Sequence, residues 1–267
     1  MVDDVDGEEV LQGGIANAGS VVRVGNYVLR PSNPHTELIH GLLRHVRGNG
    51  FDGVPEPVGI DPDGRERLVF IQGDVAWPPF PSWAQSDAAL ASMADLLARF
   101  HIATKGFVAP AGSMWNGELA DPAGGASFCH NDVCVENVVF RGGQAVALLD
   151  FDFAAPGRPL YDLAQMAKMC VPLDTSDDAA VWGRGSLDPF RRLRIVADGY
   201  GLPPGREEFL PVLDVAMARG AEFVRRRVER GEPMFVQMWE QMGGEARYER
   251  RTAWFQRHRS RFLEALG

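Results

Sequence analysis

Lysine is almost missing from this chain: among 267 residues only Lys105 and Lys168 carry an ammonium side chain, and neither lies in the first hundred. Any phosphate-binding task near the N-terminus must therefore fall to arginine, which keeps the positive charge and adds a planar fork of donors. Cysteine is nearly as scarce. Cys129, Cys134 and Cys170 form no C-x-x-C pair, and any disulfide scheme leaves one over, so free thiols in a reducing compartment are expected. No apolar run approaches the ~20 residues of a membrane span. The chain opens Met1-Val2-Asp3-Asp4, acidic where a secretion signal is basic. The expectation is a soluble cytoplasmic protein with no membrane partner. Positive charge is also in deficit overall, the net charge being −9, which sets the surface against phosphate backbones and anionic lipid, so nucleic acid is not an expected partner. The exception is 219–267, where eleven arginines face seven acids; it reads as a solvated arginine-rich helix face. Nothing in the sequence sets the oligomeric state.

What is present falls into two regions of different texture. Val21 to Val24 and Tyr27 to Arg30 are β-rich and separated by Gly25-Asn26, the link of a tight hairpin. Leu38, Ile39, Leu42, Leu43 and Val46 then recur at helical spacing ahead of Gly48-Asn49-Gly50. Val58 to Ile60 and Leu68 to Ile71 flank the turn Asp61-Pro62-Asp63-Gly64 as a second antiparallel pair. After a proline-rich link the text turns helical: Leu90, Met93, Leu96, Leu97 and Phe100 form a stripe behind a Ser86 cap, and helices are expected at 189–199, 206–230 and 234–265. A cleft between a β-rich part and a helical part is a common ligand site.

The densest chemical signal is His130-Asn131-Asp132-Val133-Cys134-Val135-Glu136-Asn137, followed by an apolar strand, a Gly142-Gly143 turn, and a second strand running into Asp150-Phe151-Asp152. Phosphoryl transfer needs a carboxylate that orients or deprotonates the acceptor hydroxyl, and an oxygen pair for Mg²⁺ bridging the nucleotide phosphates. Asp132 supplies the first. Asn137 and Asp150 supply the second, since the hairpin returns the chain so that Asp150 meets Asn137 across it. Competing readings are weaker: Ala154 stands where a D-x-D phosphatase wants Thr or Val, and His35, His45 and His101 lack metal-ligand spacing. Cys134 reads as a small buried filler.

These motifs, with Gly157-Arg158-Pro159-Leu160-Tyr161-Asp162-Leu163-Ala164 as a G-x4-D-L-A segment, resemble the aminoglycoside phosphotransferase family, which includes choline-kinase-like enzymes, over residues 10–200. The resemblance implies an α+β, protein-kinase-like two-lobe fold, with a small β-rich nucleotide-binding lobe at 1–73 and a larger helical catalytic and acceptor-binding lobe at 74–267. It implies Asp132 as base, Asn137 and Asp150 as Mg²⁺ ligands, His130 holding the loop and Asp162 bracing it. The Gly13, Gly14 and Asn17 loop would cover the phosphates of ATP or GTP, and the backbone of Phe70, Ile71 and Gln72 would bond the base. Asp152 would either assist a second metal or accept hydrogen bonds at the loop. The family's strand lysine is replaced by Arg30, and its helix glutamate corresponds either to His40 or, one turn earlier, to Glu37.

Asp150-Phe151-Asp152 departs from the protein-kinase pattern, so a small hydroxylated acceptor is expected. An aminoglycoside or other antibiotic leads, and a metabolite such as choline, a sugar or homoserine remains open. A catalytically silent nucleotide-binding protein of the same fold is the other class in play. Asp74, Glu118, Asp121, Asp188 and Glu240 are the acids that would meet a cationic acceptor, while Trp115 and Trp239 suit either stacking or core packing.

Overall fold

In the computed structural model, which describes residues 7–11 and 19–267, the first part of the chain builds a five-stranded antiparallel sheet. Its strands are β1 (Glu9–Val10), β2 (Val22–Val24), β3 (Tyr27–Pro31), β4 (Pro57–Ile60) and β5 (Arg65–Val69). Gly25, at φ +56°, turns β2 into β3, as the Gly-Asn link requires. The order across the sheet is β1-β2-β3-β5-β4, so β5 inserts between β3 and β4 and sets Arg30 directly opposite Glu66. Between β3 and β4 runs α1 (Thr36–Gly48), whose Ile39, Leu42, Leu43 and Val46 share one face and are buried. Gly13, Gly14 and Asn17 of the expected phosphate loop lie outside the described residues.

β5 ends at Val69, two residues short of the expected strand, and the chain crosses to the helical part through Phe70–Asp74. Asp74 and Phe140 exchange N–H···O bonds of 2.8 Å in both directions, which stitches the crossing to the hairpin that carries the site. Gly73 makes this possible. It sits at φ +150°, and a Cβ there would lie 2.5 Å from Val139 Cγ1 and 2.6 Å from the Phe140 carbonyl oxygen. Gly73→Ala is expected to cost about 1–3 kcal/mol of stability through backbone strain alone. The crossing also borders the cavity described below, and thermal denaturation checks the expected loss.

Beyond the crossing, α2 (Asp87–Ala103) begins where Ser86 Oγ accepts the Ala89 N–H at 3.1 Å, and its Leu90, Met93, Leu96, Leu97 and Phe100 are fully buried. The core forms where α2 packs on α5 (Pro189–Tyr200) and α3 (Pro159–Cys170) packs on α6 (Phe209–Glu229), with the short α4 (Ser176–Ala180) lying between α3 and α5 along the chain. Two short antiparallel pairs lie on this core: β6 (Ser127–Cys129) with β9 (Ala155–Gly157), and β7 (Val138–Arg141) with β8 (Gln144–Leu148). The fold is therefore α+β, a sheet lobe beside a helical lobe.

A single helix over 234–265 does not form. Gly243 and Gly244 adopt φ +88° and +57°, which ends α7 (Pro233–Gln241) and starts α8 (Gly244–Arg257), and a further break at His258 leads into α9 (Arg259–Leu266). The arginine-rich face is also less free than expected. Arg227 and Arg230 pair with Glu118, Arg247 with Asp174, Arg250 with Asp178, and Arg259 with Asp214. No helix among the described residues is long and apolar enough to cross a membrane.

Candidate active site

The loop from β6 to β7 carries Asp132, and its shape is fixed from beneath. Asp162, fully buried on α3, accepts N–H bonds from His130 at 2.6 Å and Asn131 at 2.7 Å, and a third from His101 Nε2 at 2.9 Å. Tyr200 on α5 donates to His101 Nδ1 at 2.8 Å, since burial pushes its phenol up and keeps the proton on. Asn131 is held at φ 65°, a region a non-glycine residue adopts only when its surroundings impose it, and its Nδ2 donates to Phe153 O at 2.9 Å.

His130 ties the loop to the next segment. Its Nε2 donates to Leu149 O at 2.8 Å while Nδ1 accepts the Asp132 N–H at 3.3 Å, a pattern that demands the neutral ring. Burial lowers the His130 pKa in the same direction. The trio His101, Cys129 and Asp162 comes within 4.8 Å, a proximity that chain spacing conceals. Its oxygens are taken by hydrogen bonds and burial holds the Cys129 thiol well above its usual pKa, so the cluster acts as a brace.

Asp132, Asn137 and Asp150 converge as the spacing predicts. Asn137 Nδ2 donates to Asp132 O at 2.9 Å and to Asp132 Oδ2 at 3.1 Å. The Leu149 N–H donates to Asn137 O at 2.8 Å, and the next residue, Asp150, is turned at φ 61° into the same space. Burial, and then the Asp150 charge, push the Asp132 carboxyl up to about 7, while burial pushes the nearby Lys168 ammonium down to about 8. Burial likewise raises Asp152 and Glu136.

Arg30 reaches into this cluster from β3. Its Nη1 donates to Asp150 Oδ1 at 2.9 Å, Nη2 to Asp152 Oδ1, and Nε to Glu66 Oε1. The partner sought on the helix is therefore on a strand: Glu66 takes the guanidinium on one oxygen and His40 Nε2, at 2.8 Å, on the other. His40 stands one step away from Arg30, and Glu37 is exposed on the first turn of α1. Glu66, only 1% exposed, is the residue sequence reasoning missed; its signal was an acid in phase with buried Leu68.

A cavity of about 340 Å³ opens between sheet and helices, within the range of small-molecule sites. Val28, Leu68 and Val139 give it apolar walls, and Arg30, Asn137 and Asp150 stand at its polar end. Phe70 and Ile71 border it, with the Phe70 N–H bonded to Asn26 O at 2.8 Å. Gln72 is exposed and its carbonyl accepts Arg141 Nε at 2.8 Å. Among the acids expected to meet a cationic acceptor, Glu118 is paired with Arg227 and Arg230, Asp121 is held by Arg158, and Asp188 caps α5. Asp74 is exposed at the crossing, and so is Glu240 on α7. Trp115 packs against Phe128 with ring centroids 5.0 Å apart, and Trp239 stacks on Tyr248 at 5.4 Å.

Residues 115–207 match the sequence model of the APH phosphotransferase enzyme family. The chain is 35% identical over 188 residues to the trifolitoxin immunity protein of Rhizobium leguminosarum bv. trifolii, covering 68% of this chain and 70% of that one. Two solved structures share the fold. A choline/ethanolamine kinase family protein from Mesorhizobium loti superposes with a TM-score of 0.65 at 17% identity, over 99% of this chain and 94% of that one. APH(2″)-IIia, solved as its GDP and kanamycin complex, superposes with a TM-score of 0.63 at 15% identity, over 94% of each.

Proposed function

The chain is an enzyme of the APH phosphotransferase family, and on that premise we propose that it moves the γ-phosphoryl group of ATP or GTP onto a hydroxyl of a small antibiotic or toxin. One observation carries the reading. Asn137 is bonded to both the backbone and the carboxylate of Asp132 while Asp150 is delivered beside it, so a base and two hard oxygen donors meet at the mouth of one cavity. The apolar walls accept the nucleotide base, with the Phe70–Ile71 backbone as its hydrogen-bonding edge. The Gly13 to Asn17 loop is assigned to the phosphates on sequence grounds.

The donor set suits Mg²⁺. Commitment of Asn137 Nδ2 to Asp132 leaves its Oδ1 as the donor for a cation, and Asp150 has an oxygen beyond the one bonded to Arg30. Asn137 and Asp150 would hold the ion, which when bound neutralises charge on the β/γ-phosphates. Arg30 presents a fixed positive edge to the same phosphates. Asp132 orients the acceptor hydroxyl and takes its proton as the new P–O bond forms and the bond to the nucleoside diphosphate breaks.

Two observations favour an acceptor of low positive charge within the antibiotic and toxin class. Glu118 and Asp121 are already paired with arginines, which leaves fewer of the five candidate acids to bind a polycation. The 35% identical relative is an immunity protein against a toxin. A second reading, a nucleotide-binding protein without turnover, has the guanidinium of Arg30 on both Asp150 and Asp152 in its favour.

Incubation with Mg²⁺, ATP or GTP and a pooled set of antibiotics, peptide and non-peptide toxins and hydroxylated metabolites separates the two. Mass spectrometry is expected to show one acceptor gaining a single phosphoryl group, and the Asp132→Asn protein to show none. Tight nucleotide binding with every acceptor unchanged would establish the silent protein instead.

A further inference from the structure

Arg30 exposes only 9% of its surface and is the meeting point of three carboxylates: Glu66 through Nε, Asp150 through Nη1 and Asp152 through Nη2. Burial opposes its charge, but the three acids outweigh burial and hold it protonated throughout the accessible pH range. Asp152 is bound from two further directions. The oxygen that accepts Arg30 also accepts Asn33 Nδ2 at 3.0 Å, and its backbone carbonyl accepts Asn116 Nδ2 at 3.1 Å. Asp150, by contrast, gives one oxygen to Arg30 and stands next to Asn137.

From this asymmetry we infer that Arg30 fills the place of a second cation. The nucleotide-loaded site takes one divalent ion, on Asn137 and Asp150, while the guanidinium stays on Asp152. The inference rests on the phosphotransferase reading of the site. Its physical basis is a competition. At Asp152 one oxygen already accepts two N–H donors, and an ion there faces the positive charge of a guanidinium whose withdrawal would leave buried Glu66 with His40 alone. Arg30 also bonds one oxygen of Asp150, but an ion there has the other carboxylate oxygen and the Asn137 amide oxygen as a pair of donors, whereas Asp152 offers no second side chain of that kind among the described residues. The arginine in place of lysine is thus more than a conservative change: its fork reaches three acids through three separate nitrogens, where an ammonium would have to serve them from one.

The test counts metal. Protein saturated with the β,γ-imido analogue of ATP, and of GTP in a parallel series, is equilibrated with Mn²⁺, and bound ion is measured by electron paramagnetic resonance. Wild type is expected to hold one Mn²⁺ per bound nucleotide, Asp152→Asn the same one, and Arg30→Met two. Two ions in the wild type overturn the inference and leave the phosphotransferase reading standing. So does a single ion in a folded Arg30→Met protein, or loss of the ion in Asp152→Asn, a comparison that decides the matter even where Arg30→Met fails to fold. No nucleotide-dependent Mn²⁺ in the wild type overturns that reading and the inference together.

Discussion

Asp132→Asn is expected to lower kcat by about 10²–10⁴-fold, the usual contribution of a positioned general base, while nucleotide affinity and thermal stability stay close to wild type. The amide keeps the shape and still meets Asn137, and it cannot take the acceptor's proton. The pH profile adds an independent reading. Burial and the Asp150 charge push the Asp132 carboxyl up to about 7, so on the proposed mechanism kcat/KM is expected to fall as pH drops through that value. A dication on Asp150 removes the second of these causes, so the acid limb of kcat moves to lower pH than that of kcat/KM. Lys168 acts the other way, its positive charge favouring ionised Asp132. Lys168→Met should therefore move the acid limb of kcat/KM upward, and rate profiles of the two proteins check the sign. An unchanged kcat in Asp132→Asn would remove Asp132 from the chemistry.

How much of this was readable from the sequence depends on the distance between partners. Asp132, Asn137 and Asp150 are joined by one loop and one hairpin, and a hairpin's geometry follows from its own residues, so their convergence was legible. The partner of Arg30 was not. Glu66 faces it only because β5 inserts between β3 and β4, and strand alternation says which face a residue takes without saying which strand lies next to it. Sequence reasoning placed the partner on α1, where Glu37 proves exposed and His40 reaches Glu66 instead. The short strands β6 and β9 were missed for the same reason: three residues carry little periodicity, and each is a strand only because the other is there. The stretch 234–265 failed differently, since Gly243 and Gly244 both take positive φ and turn the chain between α7 and α8.

The brace under the loop that carries Asp132 shows the same limit and leads to the largest expected effect on stability. Asp162 was recognisable from its segment, whereas His101 and Tyr200 lie far away in sequence and join it through tertiary packing alone. Burial by itself would raise the Asp162 carboxyl. The hydrogen bonds that it accepts, from His101 Nε2 first and from the His130 N–H, outweigh it and hold the group below its usual range. Asp162→Asn turns an NH₂ toward donors that now converge on a carboxylate, which leaves at least one buried N–H without an acceptor. The expected loss is about 3–5 kcal/mol, the sum of a buried N–H left without an acceptor, about 1–3, and of the weakening of bonds to a charged acceptor, about 1.5–3. The damage also reaches activity, because Asn131 keeps its left-handed φ only while its amide is bonded, and Asp132 is the next residue. Thus Asp162→Asn should lower both the melting temperature and kcat, where Asp132→Asn lowers kcat alone. The pH dependence follows from a depressed folded-state pKa. Asp162 contributes stability that is present above the unfolded value of about 3.9 and is lost as pH falls through the folded one. Acid titrations of the two proteins should therefore converge at low pH, where wild type gives up this contribution and the asparagine variant has none to lose.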